Sequence, residues 1–451
     1  MLGTKKRDLP ALPPGPGLAG PLAFVRAAAA GRVLDFFTHL AHRYGPVSGF
    51  AIGPQRIVFV NDPALVEEIL VTRQHAFVRD TGAVLLRELV GDGLLTTDDP
   101  AHLERRRLMQ PAFHRARVAR YGETVVRETE RVVAAWEAGE RIDIGAEMAR
   151  LALAAVGAAL FGSDLRDGAA DVAGVLASVT RRGGALAAAL ALAGPLVAPL
   201  RRAFPNRASV IFPRERARLE AIVAPLVARE RGEDDLLGLL LAARDEGGRG
   251  LDDAAVRNEV CMLVLAGHET TANALTWTFA LLAQHSAVEA RLHAEVDAVC
   301  GTHAPTFDDI ARLPYVAAIL DEALRLYPPA PAFARRPLAA IELGGFRIPA
   351  GTSVFVSPYV MQRDARYFPD PLAFAPERWA TSTHPKFAFC PFGGGSKMCI
   401  GEPFARMEAV LAIATIARRF SLERTDDRPL AIDARGLLRP AHPVLLEVRG
   451  R

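Results

Sequence analysis

The stretch PFGGGSKMCIG, residues 391–401, sets one cysteine behind three consecutive glycines and just ahead of a helix-forming run, PFARMEAVLAIATIARRF. A thiolate needs its negative charge stabilised, and the peptide N–H groups of a tight Gly-rich loop and a helix N-terminus do this. Gly393, Gly394, Gly395 and Gly401 let the backbone fold close around sulfur, and Pro403 suits a first helical turn. Cys399 therefore reads as a metal ligand. Cys261, Cys300 and Cys390 lack such flanks and read as inert buried thiols.

Around this loop the 451-residue chain is half apolar and 23% charged, enough to bury a large core. A net charge of +3 with scattered basic residues argues against nucleic acid as a partner. The four cysteines show no paired spacing, so a reducing, cytoplasmic setting is expected. The opening MLGTKKRDLPALPPGPG has charges and prolines but no apolar run of a signal peptide or membrane anchor, and a soluble protein is expected. Only Lys5, Lys6, Lys386 and Lys397 are lysine among 54 basic residues, a skew that fits GC-rich coding and a bacterial source. The uncharged segment 183–200, GGALAAALALAGPLVAPL, reads either as an apolar flap or as a packed alanine-rich helix pair.

Helical periodicity covers most of the chain. The exceptions are VSGFAIGPQRIVFV (47–60), which alternates around a Gly-Pro turn, and IELGGFRIPAGTSVFVSPYV (341–360), with a hairpin signal at Gly344 and Gly345. The expected class is mainly α with small β-sheets, in one large domain over 1–451. The longest helical pattern runs from about Asp252 to His285. In its middle AGHETTANA (266–274) puts Gly267, Glu269, Thr270 and Thr271 in an otherwise apolar run. Two readings stay open there: a kink, with Thr270 bonding the Ala266 carbonyl, or a groove with a hydroxyl and a carboxylate at its edge, which is a proton-delivery site. In LDEALRLYPP (320–329), Glu322 and Arg325 stand three apart on a helix face, a spacing that alone means a surface ion pair. Arg378 of FAPERW could share the Glu322 carboxylate and convert the pair into a buried network.

Taken together these motifs resemble the cytochrome P-450 haem-thiolate monooxygenases. FGGGSKMCIG is similar to the family's F-x-x-G-x-(H/R)-x-C-x-G loop, AGHETT to its oxygen-binding helix motif, EALR to its E-x-x-R and PERW to its P-E-R-F, in the family's order. DDPAHLERRRL (98–108) resembles the helix that carries propionate ligands in bacterial members, and GDGLLTT and RLYPPAPAF look like bacterial fatty-acid hydroxylases of the family. The resemblance implies a haem domain of P-450 type with haem b, Cys399 as the axial iron ligand, and His102, Arg106, Arg335, Lys397, Phe392 and Gly393 around the haem. Lys397 departs from the pattern: it replaces the usual arginine or histidine with a point charge.

Further implications follow from the same resemblance. Glu269 and Thr270 would steer protons, and Glu322, Arg325 and Arg378 would form a structural network. Leu95, Ala266, Ala330, Ala332 and Leu438 would line an apolar pocket. The expected reaction inserts one atom of O2 into an apolar organic substrate (fatty acid, terpenoid, steroid or macrocycle) by hydroxylation or epoxidation. The 52 residues after Cys399 are too few for a reductase domain, so electrons are expected from a separate acidic ferredoxin or flavodoxin with its NAD(P)H-dependent reductase. Arg105, Arg107, Arg418 and Arg419 are candidates for the basic face that docks it. A peroxide-driven peroxygenase and a non-enzymatic haem sensor or electron carrier are the alternatives.

Overall fold

A computed structural model describes residues 12–179, 212–228, 236–242, 244, 248, 250–381 and 383–451. The segment 183–200 lies outside the described residues. Among them the architecture is mainly helical, built around one 30-residue helix, Asp253–Leu282. Asp252 caps it, accepting from the Ala255 N–H at 2.7 Å. It is apolar on nearly every side, which places it in the core rather than at the surface. Its Trp277 is fully buried and stacks on Tyr327 at 3.9 Å between ring centroids.

Ile144–Phe161, Pro213–Ala228, Pro314–Leu326 and Glu402–Ala417 pack against this axis, and Arg115–Val133 packs on Ile144–Phe161 and Glu402–Ala417. The helix Ile144–Phe161 lies so close that a Cβ on Gly267 would meet Val156 Cγ2 at 3.1 Å. Gly267 thus serves close helix packing, and the central helix runs through AGHETT without a break. Ile144–Phe161 is also long and apolar enough to cross a membrane, and here most of it is core.

The β-structure sits to one side. Strands Val47–Ile52, Gln55–Val60, Ser353–Val356, Phe333–Pro337 and Phe77–Arg79 form one five-stranded sheet in that order. The first hairpin joins the later segment in parallel, with Ile57 opposite Ser353. The first β-pattern of the sequence and the end of the second, almost three hundred residues apart, are thereby in one sheet. Ile341–Leu343 and Phe346–Ile348 form the Gly-Gly hairpin, with Gly344 at φ 58° and Gly345 at φ 80°. Sequence periodicity missed a three-stranded sheet of Arg141–Asp143, Leu445–Gly450 and Phe420–Arg424, whose strands are separated in the chain with no hairpin turn signal joining them, the first being only three residues long.

Candidate active site around Cys399

The glycine loop is shaped by close approach. At Gly395, φ is 68° and a Cβ would stand 1.7 Å from the Leu70 carbonyl oxygen, so no other residue fits. The loop then turns back on itself, and the Cys399 N–H donates to the Phe392 carbonyl at 3.0 Å. Gly393 closes it on the other side, its N–H donating to the Cys390 carbonyl at 3.0 Å. Phe392 lies under the Arg406 guanidinium, 5.0 Å from the ring centroid.

Cys399 alone of the four cysteines is exposed. Crowding by the surrounding protein still raises its thiol pKa, and that combination places the sulfur at the floor of a recess. The N–H groups of Gly401 and Glu402, at the N-terminus of Glu402–Ala417, and the charge of Arg106 oppose the rise; the Glu402 carboxylate adds to it. Burial dominates at the other thiols: it pushes Cys261 up to about 12 against the charges of Arg216 and Arg257, takes Cys390 to about 12 unopposed, and raises Cys300 against Arg418 and Arg312. They are inert at physiological pH.

Beside the recess stands an excess of cations. Asp99 bridges Lys397 Nζ at 3.2 Å and His102 Nδ1 at 3.1 Å. With Nδ1 as donor to Asp99, Nε2 of the neutral ring holds a lone pair, and it donates only once protonated. Burial, with Arg79 and Lys397 nearby, brings His102 down to about 4, so an anion beside Nε2 is what would protonate it. Arg335 is lowered to about 10 by burial and by Arg79. Its Nη1 donates to the Ala334 carbonyl at 3.0 Å, and among the described residues no carboxylate lies within ion-pair distance of it. Arg106 donates to the Met398 carbonyl at 2.7 Å, which puts it on the backbone of the cysteine loop. A soft sulfur donor under two N–H groups, beside Arg335 with no carboxylate partner among the described residues and Lys397 sharing Asp99 with His102, fits an iron porphyrin with two carboxylates.

On the central helix, Thr270 Oγ1 donates to the Ala266 carbonyl at 2.5 Å, leaving its lone pairs free to accept. Glu269 is half-buried; desolvation raises its pKa, Arg439 opposes this and Asp433 adds to it. Glu269 also lines a cavity of ≈ 180 Å³ with Leu176, Arg435, Gly436, Leu437 and Arg439. Leu437 rather than Leu438 faces this space. Leu438 is fully buried in a small core with Leu34 and Ala434, while Leu437, one residue earlier in the turn between the strands Ile432–Asp433 and Arg439–Pro440, lines the cavity. Leu95 is an exposed large apolar residue, as a cavity wall requires. Ala266 and Ala330 are half-buried, whereas Ala332 packs on the aromatic cluster of Phe36 and Phe37.

The E-x-x-R pair is no surface bridge. Glu322 and Arg325 are both fully buried and joined by two bonds of 2.9 and 2.8 Å. Arg378 Nε, Trp379 Nε1 and the Ala375 N–H also donate to Glu322. Arg105 departs from its expected role: it is held by the buried Glu259 of the central helix at 2.8 Å and does not face a partner. A buried carboxylate requires such a cation. Arg418 is likewise engaged, with the Thr302 carbonyl and Glu130, while Arg107 and Arg419 are exposed.

The sequence reading missed Arg79, Asp99, Asp433, Leu437, Arg439 and Glu408. Glu408 had a signal, a lone carboxylate in the apolar run MEAVLAIA. It is fully buried beside Thr271, and burial raises its pKa well above the carboxylate range, so it is a neutral acid.

Comparison with known proteins adds the following. The sequence profile described as Cytochrome P450 matches residues 10–448. Cyclooctatin synthase of Streptomyces melanosporofaciens is 39% identical over 415 residues, covering 89% of this chain and 88% of that protein. Cyclooctat-9-en-7-ol 5-monooxygenase of the same organism is 35% identical over 403 residues, with 87% and 85% covered. Pentalenene oxygenase of Streptomyces avermitilis is 34% identical over 416 residues, with 89% and 90% covered.

Proposed function

The chain belongs to the cytochrome P450 family and is an oxidoreductase of its monooxygenase class; on that premise we propose that it inserts one atom of O2 into a cyclic terpenoid. The substrate class is supported by the relatives, whose names carry a cyclic alkenol and pentalenene, and by the apolar walls Leu176 and Leu437 of a cavity that also carries Glu269, Arg435 and Arg439. The proposal takes the cofactor as haem b in one haem domain over 1–451, the setting as a reducing bacterial cytoplasm, and the electron source as an acidic ferredoxin or flavodoxin with its reductase.

The observation that carries the reading is the exposed Cys399 sulfur facing the N–H groups of Gly401 and Glu402. When bound, haem supplies the redox chemistry that activates dioxygen, which no side chain can do. The protein's own residues do the rest. The N–H groups of Gly401 and Glu402 favour the thiolate form against the burial that raises the free thiol's pKa, and would support it once iron binds the sulfur. His102, Arg106, Arg335 and Lys397 receive carboxylates, Asp99 fixing the orientation of His102 and Lys397. Glu322 and its donors hold the segment 375–379 that leads into the loop. Thr270 Oγ1, donating to the Ala266 carbonyl, keeps lone pairs to accept a hydrogen bond and orders the proton path that Glu269 feeds, the raised pKa of Glu269 bringing it nearer to the working pH. Leu95, Ala266, Ala330 and Leu437 keep water from the reacting carbon.

A Glu269–Thr270 pair is of no use to an enzyme fed with peroxide, which already carries its protons, so the reductant-driven route is favoured. The test is turnover under 18O2 with ferredoxin, reductase and a panel of cyclic terpenes and fatty acids. A terpene product carrying one 18O is expected. Labelled product from fatty acids alone would overturn the substrate class, and no labelled product from any compound would overturn the activity.

A further inference from the structure

Glu269 faces one cation among the described residues, and that cation does not touch it. Arg439 Nη1 stands 3.9 Å from Glu269 Oε1, within ion-pair range and beyond a hydrogen bond. The guanidinium comes no nearer because Asp433 Oδ2 holds its Nε at 3.3 Å and its Nη2 at 3.1 Å. Asp433 is fixed in turn by Arg435, which donates to it from its backbone N–H at 3.1 Å and from Nε at 2.9 Å. Asp433 and Arg439 are register partners in a short hairpin of Ile432–Asp433 and Arg439–Pro440. The tip of that hairpin presents Arg435, Gly436 and Leu437 to the cavity that Glu269 lines. Leu176 of the helix Ala169–Val179 is the apolar wall there.

The arrangement biases the carboxylate without clamping it. A hydrogen-bonded guanidinium would lock Glu269 as an anion, whereas a charge held one step away favours ionisation and leaves the side chain free to turn toward Thr270. The hairpin tip and the arginine move as one unit through Asp433, so whatever presses on Leu437 alters the distance from Arg439 to Glu269. Coulombic influence falls with that distance. From these contacts we propose that Arg439 is a positioning residue for Glu269, and that its hairpin links the seating of substrate against Leu437 to the charge on that carboxylate. The charged groups facing Glu269 are Arg439 and Asp433, with Arg435 behind Asp433. The catalytic part of this inference rests on Glu269 acting as the proton relay.

The test is difference infrared spectroscopy of the holoenzyme across pH, the Glu269 carboxyl band being identified by its loss in Glu269→Gln. In Arg439→Met the titration midpoint of that band rises by about one pH unit or more, because a nearby positive charge is gone. In Asp433→Asn it falls, because a like charge is gone and Arg439 is released toward Glu269. Arg439→Lys stays near wild type, and product formed per reductant drops several-fold in Arg439→Met and recovers in Arg439→Lys. Opposite shifts separate this role from general loosening, which would move both variants the same way. An unchanged midpoint in Arg439→Met, or shifts of one sign in both variants, overturns the proposal. Leu437→Trp fills the hairpin side of the cavity and shifts the midpoint with no ligand present; an unmoved midpoint removes the link to substrate seating. If Glu269→Gln leaves product per reductant unchanged while the band still shifts in Arg439→Met, the relay reading falls and the positioning stands. If Glu269→Gln uncouples the enzyme and Arg439→Met changes nothing, the relay stands and this proposal falls.

Discussion

Replacing Glu322 by alanine removes the acceptor for five donors at once: two from Arg325 and one each from Arg378, Trp379 and Ala375. Arg325 keeps three carbonyl partners, Gln362, Pro371 and Ala373, but loses its counter-charge while fully buried. Breaking one side of a buried pair costs about 3–5 kcal/mol, against a total stability of about 5–15 kcal/mol. With a urea slope of about 3 kcal/mol/M for a chain of this size, the unfolding midpoint of the holoenzyme falls by about 1–2 M. Glu322→Ala/Arg325→Met, which removes the stranded charge as well, recovers part of that loss. Glu377→Ala, one residue from Arg378, loses an exposed pair with Arg291 and a bond from the Tyr315 hydroxyl, and shifts the midpoint by less than about 0.7 M, since these contribute about 1 kcal/mol each at most. A Glu322→Ala midpoint as close to wild type as that of Glu377→Ala, or a double variant weaker than the single one, would refute the reasoning.

Thr270→Ala loses one hydrogen bond, worth about 1 kcal/mol, and keeps haem and substrate binding, yet product per reductant falls and peroxide rises; unchanged stoichiometry would contradict the relay. His268 is buried and held down to about 4 against an ordinary 6.5, so the unfolded chain binds the extra proton between those values. Its contribution is complete above pH 6.5 and is lost as pH falls toward 4, by at most ~3 kcal/mol; His268→Leu flattens that limb of the stability curve, and parallel curves would exclude it. Arg107→Glu and Arg419→Glu slow reduction by an acidic ferredoxin at low ionic strength, and added salt narrows the difference; rates free of both effects would place the docking face elsewhere.

Whatever depended on local pattern was readable in the sequence. The central helix was bounded by its cap at Asp252, the Gly-Gly hairpin by its turn residues, and the cysteine by its glycines. What needed a third dimension was not. Gly267 read as an opening in a helix, and its reason is a neighbouring helix at van der Waals distance. Arg105 and Arg107 flank Arg106 alike in sequence, and only the position of Glu259 decides that Arg105 turns inward. The choice of Leu438 over Leu437 fails by one residue, because both lie in an irregular turn where no regular alternation of side chains marks which one faces the cavity. Asp99 and Asp433 were invisible because each acts by orienting other side chains, and an aspartate in a polar stretch looks in sequence like any solvated residue.

The most direct measurement is the absorption spectrum of the ferrous carbonyl complex in wild type, Cys399→Ala and Cys390→Ala. A thiolate held at the iron by the Gly401 and Glu402 N–H groups gives the strongly red-shifted band of a haem-thiolate, present in wild type and Cys390→Ala and absent in Cys399→Ala. Persistence of that band in Cys399→Ala, or its loss in Cys390→Ala alone, would contradict the assignment of Cys399 as the ligand on which the whole account stands.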